Sequence, residues 1–130
     1  MRRGVIFGVF DLLHTGHVRV LEEAKKDCDH LTVGVFSDHI AQSYKRRTPI
    51  TSECERVQMV RSLKCVDVAY LIDFRAPTDM QEMDVYFVSE KLRGKRLHMV
   101  PKHRLGDVRY LPYSEDISTT AVIRRCRTQE

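Results

Sequence analysis

Apolar positions along this chain alternate between two spacings. Residues 5–10 and 31–36 are short, nearly continuous runs rich in β-branched and aromatic side chains, which predicts two strands. Between them, from His17 to Lys26, Val18, Leu21, Ala24 and Lys25 recur at helical spacing while Arg19, Glu22, Glu23 and Lys26 take the other face. A short helical segment follows the second strand. Ser52 then opens a further helix, with Glu55 three residues on as a capping box and Val57, Val60 and Leu63 as its inner stripe. Strands over residues 68–72, 85–88 and 108–111 come next, and a last helix starts near Ser118 and runs into Arg124 and Arg125. Nearly continuous apolar strands separated by helices predict an α/β fold, a parallel sheet covered by helices on both faces. Such a sheet binds ligands beyond the carboxyl ends of its strands, at the point where the strand order reverses.

No repeat or low-complexity linker interrupts this pattern, so a single domain over residues 1–130 is expected. The connection from Asp73 to Met83 is short, with Pro77-Thr78-Asp79 able to start only a brief helix. Residues 91–104 are the least regular and most basic stretch and read as a loop.

The junction after the first strand carries GVFDLLHTGH over residues 8–17, with His14 and His17 bracketing Thr15 and Gly16. First-turn N–H groups of a helix lack intrahelical partners and carry the positive end of its dipole, so this junction is a natural anion site. Gly16 lets a ligand approach the backbone closely. Two imidazoles there can donate hydrogen bonds to phosphate oxygens, and can become more fully cationic as negative charge builds beside them. Taken alone, they could equally cap the helix or fill space.

Two further clusters share that chemistry. Tyr44-Lys45-Arg46-Arg47-Thr48-Pro49 places successive cations in a loop, with Arg56 one turn into the next helix, a set suited to neutralising a departing polyphosphate. Without context, a solvated charge run is the simpler reading. Ile117-Ser118-Thr119-Thr120 offers cap hydroxyls and free N–H groups at the start of the last helix, with Arg124 on its first exposed turns. As a bare pattern this is an ordinary N-cap.

Charge and composition narrow the partner. Lys and Arg number 22 against 18 Asp and Glu, which fits a phosphate-rich ligand. Nucleic acid is not expected, because Phe7, Phe10, Phe36, Tyr70, Tyr86 and Phe87 lie inside strand-like runs instead of interleaving with exposed cations. A hydrophobic content of 42% supports a core without disulfides or a metal. The basic Met1-Arg2-Arg3 and the apolar run after it do not make a signal peptide, since the run ends at Asp11, and no stretch approaches membrane-spanning length. Cys28, Cys54, Cys65 and Cys126 form no Cys-x-x-Cys pair, so reduced thiols and a cytoplasmic location are expected.

In their order and separations, GVFDLLHTGH, RTPITSECER with a trailing CVD, and SEDISTTAVIRR make the chain resemble the small cytidylyltransferases of the His-x-Gly-His nucleotidyltransferase superfamily. Glycerol-3-phosphate cytidylyltransferase is the member it resembles most. The resemblance covers nearly the whole chain. It implies a Rossmann-like, doubly wound sheet of five parallel strands in the order 3-2-1-4-5, and a homodimer. It also implies an enzyme that transfers CMP from CTP to a small phosphorylated alcohol or phosphonate, with Mg²⁺ bound mainly through the nucleotide phosphates and no metal ligand from the protein. By position, Gly8, Val9 and Phe10 would line the nucleotide pocket with Asp11 and Gly16, while His14 and His17 would contact the phosphates. Lys45 and Arg47 would hold the β and γ phosphates or the acceptor, Arg56 matches the arginine of the middle motif, and Ser118 and Thr119 would bind the triphosphate. An acceptor phosphate is already a nucleophile at neutral pH, so in-line attack needs no catalytic base and no covalent intermediate.

Two segments depart from the family. Ser89-Glu90-Lys91-Leu92 stands where the family has a Gly-Asp-Asp-Trp segment that helps recognise the base, although Glu90 can accept a hydrogen bond from an exocyclic amine. Tyr113-Ser114 stands where the family has Arg-Thr, leaving Tyr113 in the nucleotide pocket and removing a cation that Arg104, Arg109 or the basic residues 91–96 could replace. The connection from Asp73 to Met83 is also shorter than the family's. Base and acceptor are therefore open. An adenylyltransferase using ATP on a sugar phosphate, phosphopantetheine or a flavin would share the histidine motif. A degenerate nucleotide-binding sensor or subunit is the third reading.

Overall fold

The computed structural model describes residues 1–45, 47–73, 82–112 and 118–129. Strands β1 (Arg3–Gly8), β2 (His30–Phe36), β3 (Val68–Ile72), β4 (Val85–Ser89) and β5 (Val108–Leu111) pair in the order β3-β2-β1-β4-β5, every pair parallel. Helices α1 (Thr15–Lys26), α2 (Asp38–Lys45), α3 (Glu53–Arg61) and α4 (Thr119–Thr128) complete a Rossmann-like fold. The chain winds outward from β1 to β3 and then crosses to β4, so the order reverses beside β1 and the loop after β1 opens at that reversal.

Alternate residues of each strand feed two cores, which is why the strands read as continuous apolar runs. Ile6, Val33, Val35, Val85 and Phe87 join Leu21 and Ala24 of α1 and Val57 and Val60 of α3 in one cluster. Val5, Ile72 and Tyr86 form the other with Met83 and Val100, flanked by Ile40 of α2 and by Leu97 and Met99. The basic stretch after β4 is therefore not a plain loop: its apolar residues cover one sheet face, and it holds 3-10 turns over Glu90–Leu92 and Lys102–Asp107. Leu63 lies just past α3 yet still packs on the first cluster.

Two boundaries at the reversal point shift from expectation. β1 stops at Gly8, two residues short, because Phe10 and Leu12 take left-handed backbone angles (φ 55° and 49°) that cannot continue a strand. The helix starts at Thr15 and not His17, because the His14 side chain caps it. The brief helix expected at Pro77-Thr78-Asp79 lies outside the described residues. Among the described residues, no helix is long and apolar enough to cross a membrane.

Candidate active site

The two histidines cap α1 reciprocally. The Gly16 N–H donates to His14 Nδ1 (3.1 Å), and the His14 N–H donates to His17 Nδ1 (3.2 Å). Each Nδ1 therefore accepts, which puts the proton of each neutral ring on Nε2. The rings stack with centroids 3.8 Å apart, and the Phe10 ring meets His17 edge-on at 5.4 Å. Burial holds His14 below the ordinary histidine range. His17 is pushed down to about 3, by burial first and then by His14 and Lys45, against the opposing pull of Asp11. At neutral pH, with no anion beside them, the pair is thus two uncharged Nε2–H donors. Capping uses the Nδ1 atoms and leaves both Nε2–H groups, so it does not exclude the phosphate contact set against it above.

Gly8 owes its place to a neighbour. A Cβ there would come within 2.9 Å of the Phe10 ring, so glycine is what lets Phe10 fold back beneath His17. Phe10 is buried in the core and does not line the cavity, whereas Val9 does.

Asp11 fastens three walls together. Its carboxylate accepts from the N–H groups of Ile50 (2.9 Å) and Thr51 (3.0 Å) and from the Thr51 hydroxyl (2.8 Å). Its carbonyl accepts from the Thr119 hydroxyl (2.8 Å), which also lies 3.4 Å from His14 Nε2. Burial would raise the Asp11 carboxyl, but the Thr51 and Ile50 N–H groups, the Thr51 hydroxyl and Arg47 outweigh it and hold it below the usual range. Both oxygens face the loop before α3, so Asp11 shapes the pocket more than it meets a ligand.

Arg56 departs furthest from its expected role. Its side chain is 1% exposed and ties the carboxyl ends of two strands to the helices that follow. Nη1 donates to the Val9 and Phe36 carbonyls (2.7 and 2.8 Å), Nε to the Thr51 carbonyl (3.1 Å) and Nη2 to Asp38 (2.6 Å). Four of the five N–H donors of this guanidinium are so used, and the buried side chain points inward.

Val9, Asp11, Ala41, Lys45, Arg47, Pro49 and Thr119 line one cavity at this corner. Lys45 lies below the ordinary lysine range, chiefly through desolvation and then through Arg47 and Lys91, with Asp11 opposing. Lys91 thereby connects the turn after β4 to the same corner. Ser118 caps α4, its hydroxyl oxygen accepting from the Ala121 N–H (3.1 Å), which leaves the Thr119 and Thr120 amides of that first turn for a ligand. Glu90 is committed to an ion pair with Arg93, whose guanidinium lies 4.1 Å from the Tyr110 ring centroid. Tyr113 lies outside the described residues. Among those described, no group of three or more His, Cys, Asp or Glu is placed to hold a metal ion.

Sequence reasoning assigned no role to Asp38, Ala41, Pro49, Ile50 or Thr51, although the last three stand inside the RTPITSECER motif; Asp38 and Ala41 read as ordinary helix residues.

The Cytidylyltransferase-like family profile matches residues 5–125. The chain is 33% identical to FAD synthase of Thermococcus kodakarensis over 95% of its own length and 90% of that protein's. It is 32% identical to bifunctional protein HldE of Hyphomonas neptunium over 98% of its length, spanning 28% of that longer chain. Its fold matches a lipopolysaccharide core biosynthesis protein from Thermoplasma volcanium with a TM-score of 0.64 at 29% identity, covering 88% of this chain and 97% of the other. These relatives support the superfamily read from the sequence, and do not single out glycerol-3-phosphate cytidylyltransferase within it.

Proposed function

Because the chain belongs to the cytidylyltransferase-like family of nucleotidyltransferases, we propose that it transfers an adenylyl group from ATP to a phosphate monoester and releases pyrophosphate. The stacked, reciprocally capped His14–His17 pair carries this reading: its two Nε2–H groups are preorganised donors beside a cationic corner and the open first turn of α4. Adenylyl in place of cytidylyl transfer is supported by FAD synthase, a relative matched over nearly its full length whose named product contains an adenylyl group. The CTP reading drawn from the sequence becomes the competing arm.

In this reading His14 and His17 bridge the α and β phosphates, while Lys45 and Arg47 neutralise the departing pyrophosphate. The Thr119 and Thr120 amides add the positive end of α4. Mg²⁺ would arrive on the nucleotide phosphates and supply charge neutralisation there. That fits the donor set, since the Asp11 carboxylate at this corner already faces the Ile50 and Thr51 amides. The acceptor phosphate attacks as the anion it already is, and the protein positions and stabilises without exchanging a proton.

Pyrophosphate release with Mg²⁺ and either ATP or CTP, against flavin mononucleotide, heptose 1-phosphate and glycerol 3-phosphate, tests the proposal. Turnover with ATP and at least one acceptor is expected. Turnover with CTP alone restores cytidylyl transfer, and tight nucleotide binding without release from any pair favours the sensor.

A further inference from the structure

One stretch of the chain carries all of its positive excess. Residues 92–105 hold five of the 22 Lys and Arg and none of the 18 Asp and Glu, which leaves 17 against 18 in the rest. None of them lines the cavity at the His14–His17 corner, and none takes part in the transfer described above.

Gly94 turns the chain back just past β4: it takes φ 82°, with open space where a Cβ would stand. Because β4 and β5 run parallel, pairing Tyr86 with Val108 and Ser89 with Leu111, the connection must travel back along the sheet to enter β5. On the way Leu97, Met99 and Val100 pack down on the second cluster, while Lys95, Arg96, His98 and Lys102 stay exposed. The stretch is thus a strap, held against the sheet by its apolar residues with its cations outside.

Arg93 pairs with Glu90, and Arg104 with Glu82 and Asp107, so these two help to fasten the strap. Lys95, Arg96 and Lys102 have no ion-pair partner among the described residues. Leu92 and Leu105, at the two ends, are 40% and 55% exposed. Unpaired cations between two exposed leucines match an anionic lipid surface, whose headgroup phosphates meet the charges while the acyl boundary takes up the leucines. Nucleic acid supplies the phosphates but gives the leucines nothing, and the strap has no aromatic side chain to stack on a base.

We infer that this strap is a docking surface for an anionic membrane, on which the protein adsorbs reversibly without crossing it. The docking is independent of which nucleotide the chain uses.

Co-sedimentation of the intact chain with vesicles of phosphatidylcholine and phosphatidylglycerol in equal parts, and of phosphatidylcholine alone, tests this. Binding to the mixed vesicles is expected, with little to the neutral ones and release as salt is raised. K95Q/R96Q/K102Q should weaken binding to the mixed vesicles at least about tenfold, and Leu105→Ser about threefold or more, each with an unchanged melting temperature. R19Q/K64Q/R125Q removes three charges that are exposed elsewhere on the molecule, and should bind within about twofold of the intact chain. No adsorption of the intact chain, equal adsorption to neutral vesicles, or an equal loss in the two triple variants overturns the assignment. So does tighter binding of duplex RNA than of the mixed vesicles, which would make the strap a nucleic-acid surface. If the first triple variant failed to fold, Leu105→Ser would decide: unaltered binding by it also overturns the assignment.

Discussion

Replacing Arg56 by Met separates a structural role from a ligand role more sharply than any other change. The thioether keeps much of the aliphatic stem but deletes four hydrogen bonds, to Val9, Phe36, Thr51 and Asp38. The Val9 carbonyl is left buried without a donor, and Asp38 loses its counter-ion. Orphaning the buried Val9 carbonyl and the part-buried Phe36, Thr51 and Asp38 acceptors together costs about 3–5 kcal/mol, more than the arginine's net contribution, because the groups left behind stay partly desolvated. At ~2.1 cal/mol/K per residue, the unfolding entropy of 130 residues is about 0.27 kcal/mol/K. The melting temperature should therefore fall by roughly 10–20 °C. Circular dichroism melts of wild type, Arg56→Met and Arg56→Lys measure this, with Lys intermediate because one ammonium cannot reach all of the acceptors. Isothermal titration with ATP well below the midpoint completes the assay. A drop of under ~3 °C accompanied by a large loss of ATP affinity would mean that Arg56 meets phosphate after all.

Three other outcomes are expected. His14→Asn keeps a good N-cap but removes the Nε2 donor, so kcat/KM for pyrophosphate release should fall by about 10²–10³ with little change in melting temperature; a variant that unfolds early would make His14 chiefly a cap. His17→Gln preserves the capping box and removes a depressed titration. With His17 lowered to about 3 in the folded protein, the unfolded chain takes up a proton as pH falls through its ordinary value of ~6.5, and the folded protein does not. Wild type should thus lose roughly 3 kcal/mol more than the variant between pH 7 and pH 4, and urea melts with coincident pH profiles would contradict that. Asp11→Asn keeps one acceptor oxygen for the Thr51 N–H and hydroxyl but puts an amide NH₂ against the Ile50 N–H. It should cost about 1–3 kcal/mol, and hydrogen exchange at Ile50 and Thr51 should quicken; unchanged protection there would refute the tethering.

The sheet was legible because parallel strands covered on both faces need apolar residues at every position, and 31–36 and 85–88 are written that way. The order of the strands was not in their periodicity and came through the family resemblance. The start of α1 was misread because imidazole is an uncommon cap, whereas the Ser52 and Ser118 hydroxyls announced theirs. Arg56 and Asp11 were recognised by position but not by direction: a side chain's orientation depends on partners such as Phe36 and Ile50, 20 and 39 residues away.

Two stacked imidazoles look like half of a transition-metal centre, yet their caps guard them against that fate. A metal ion approaching either Nδ1 must displace a backbone N–H. One approaching Nε2 must drive the proton onto Nδ1, with the same result. Each route forfeits a cap bond of about 1 kcal/mol and begins to fray α1. The helix terminus thereby biases both imidazoles toward donating through Nε2 and away from ligating a metal.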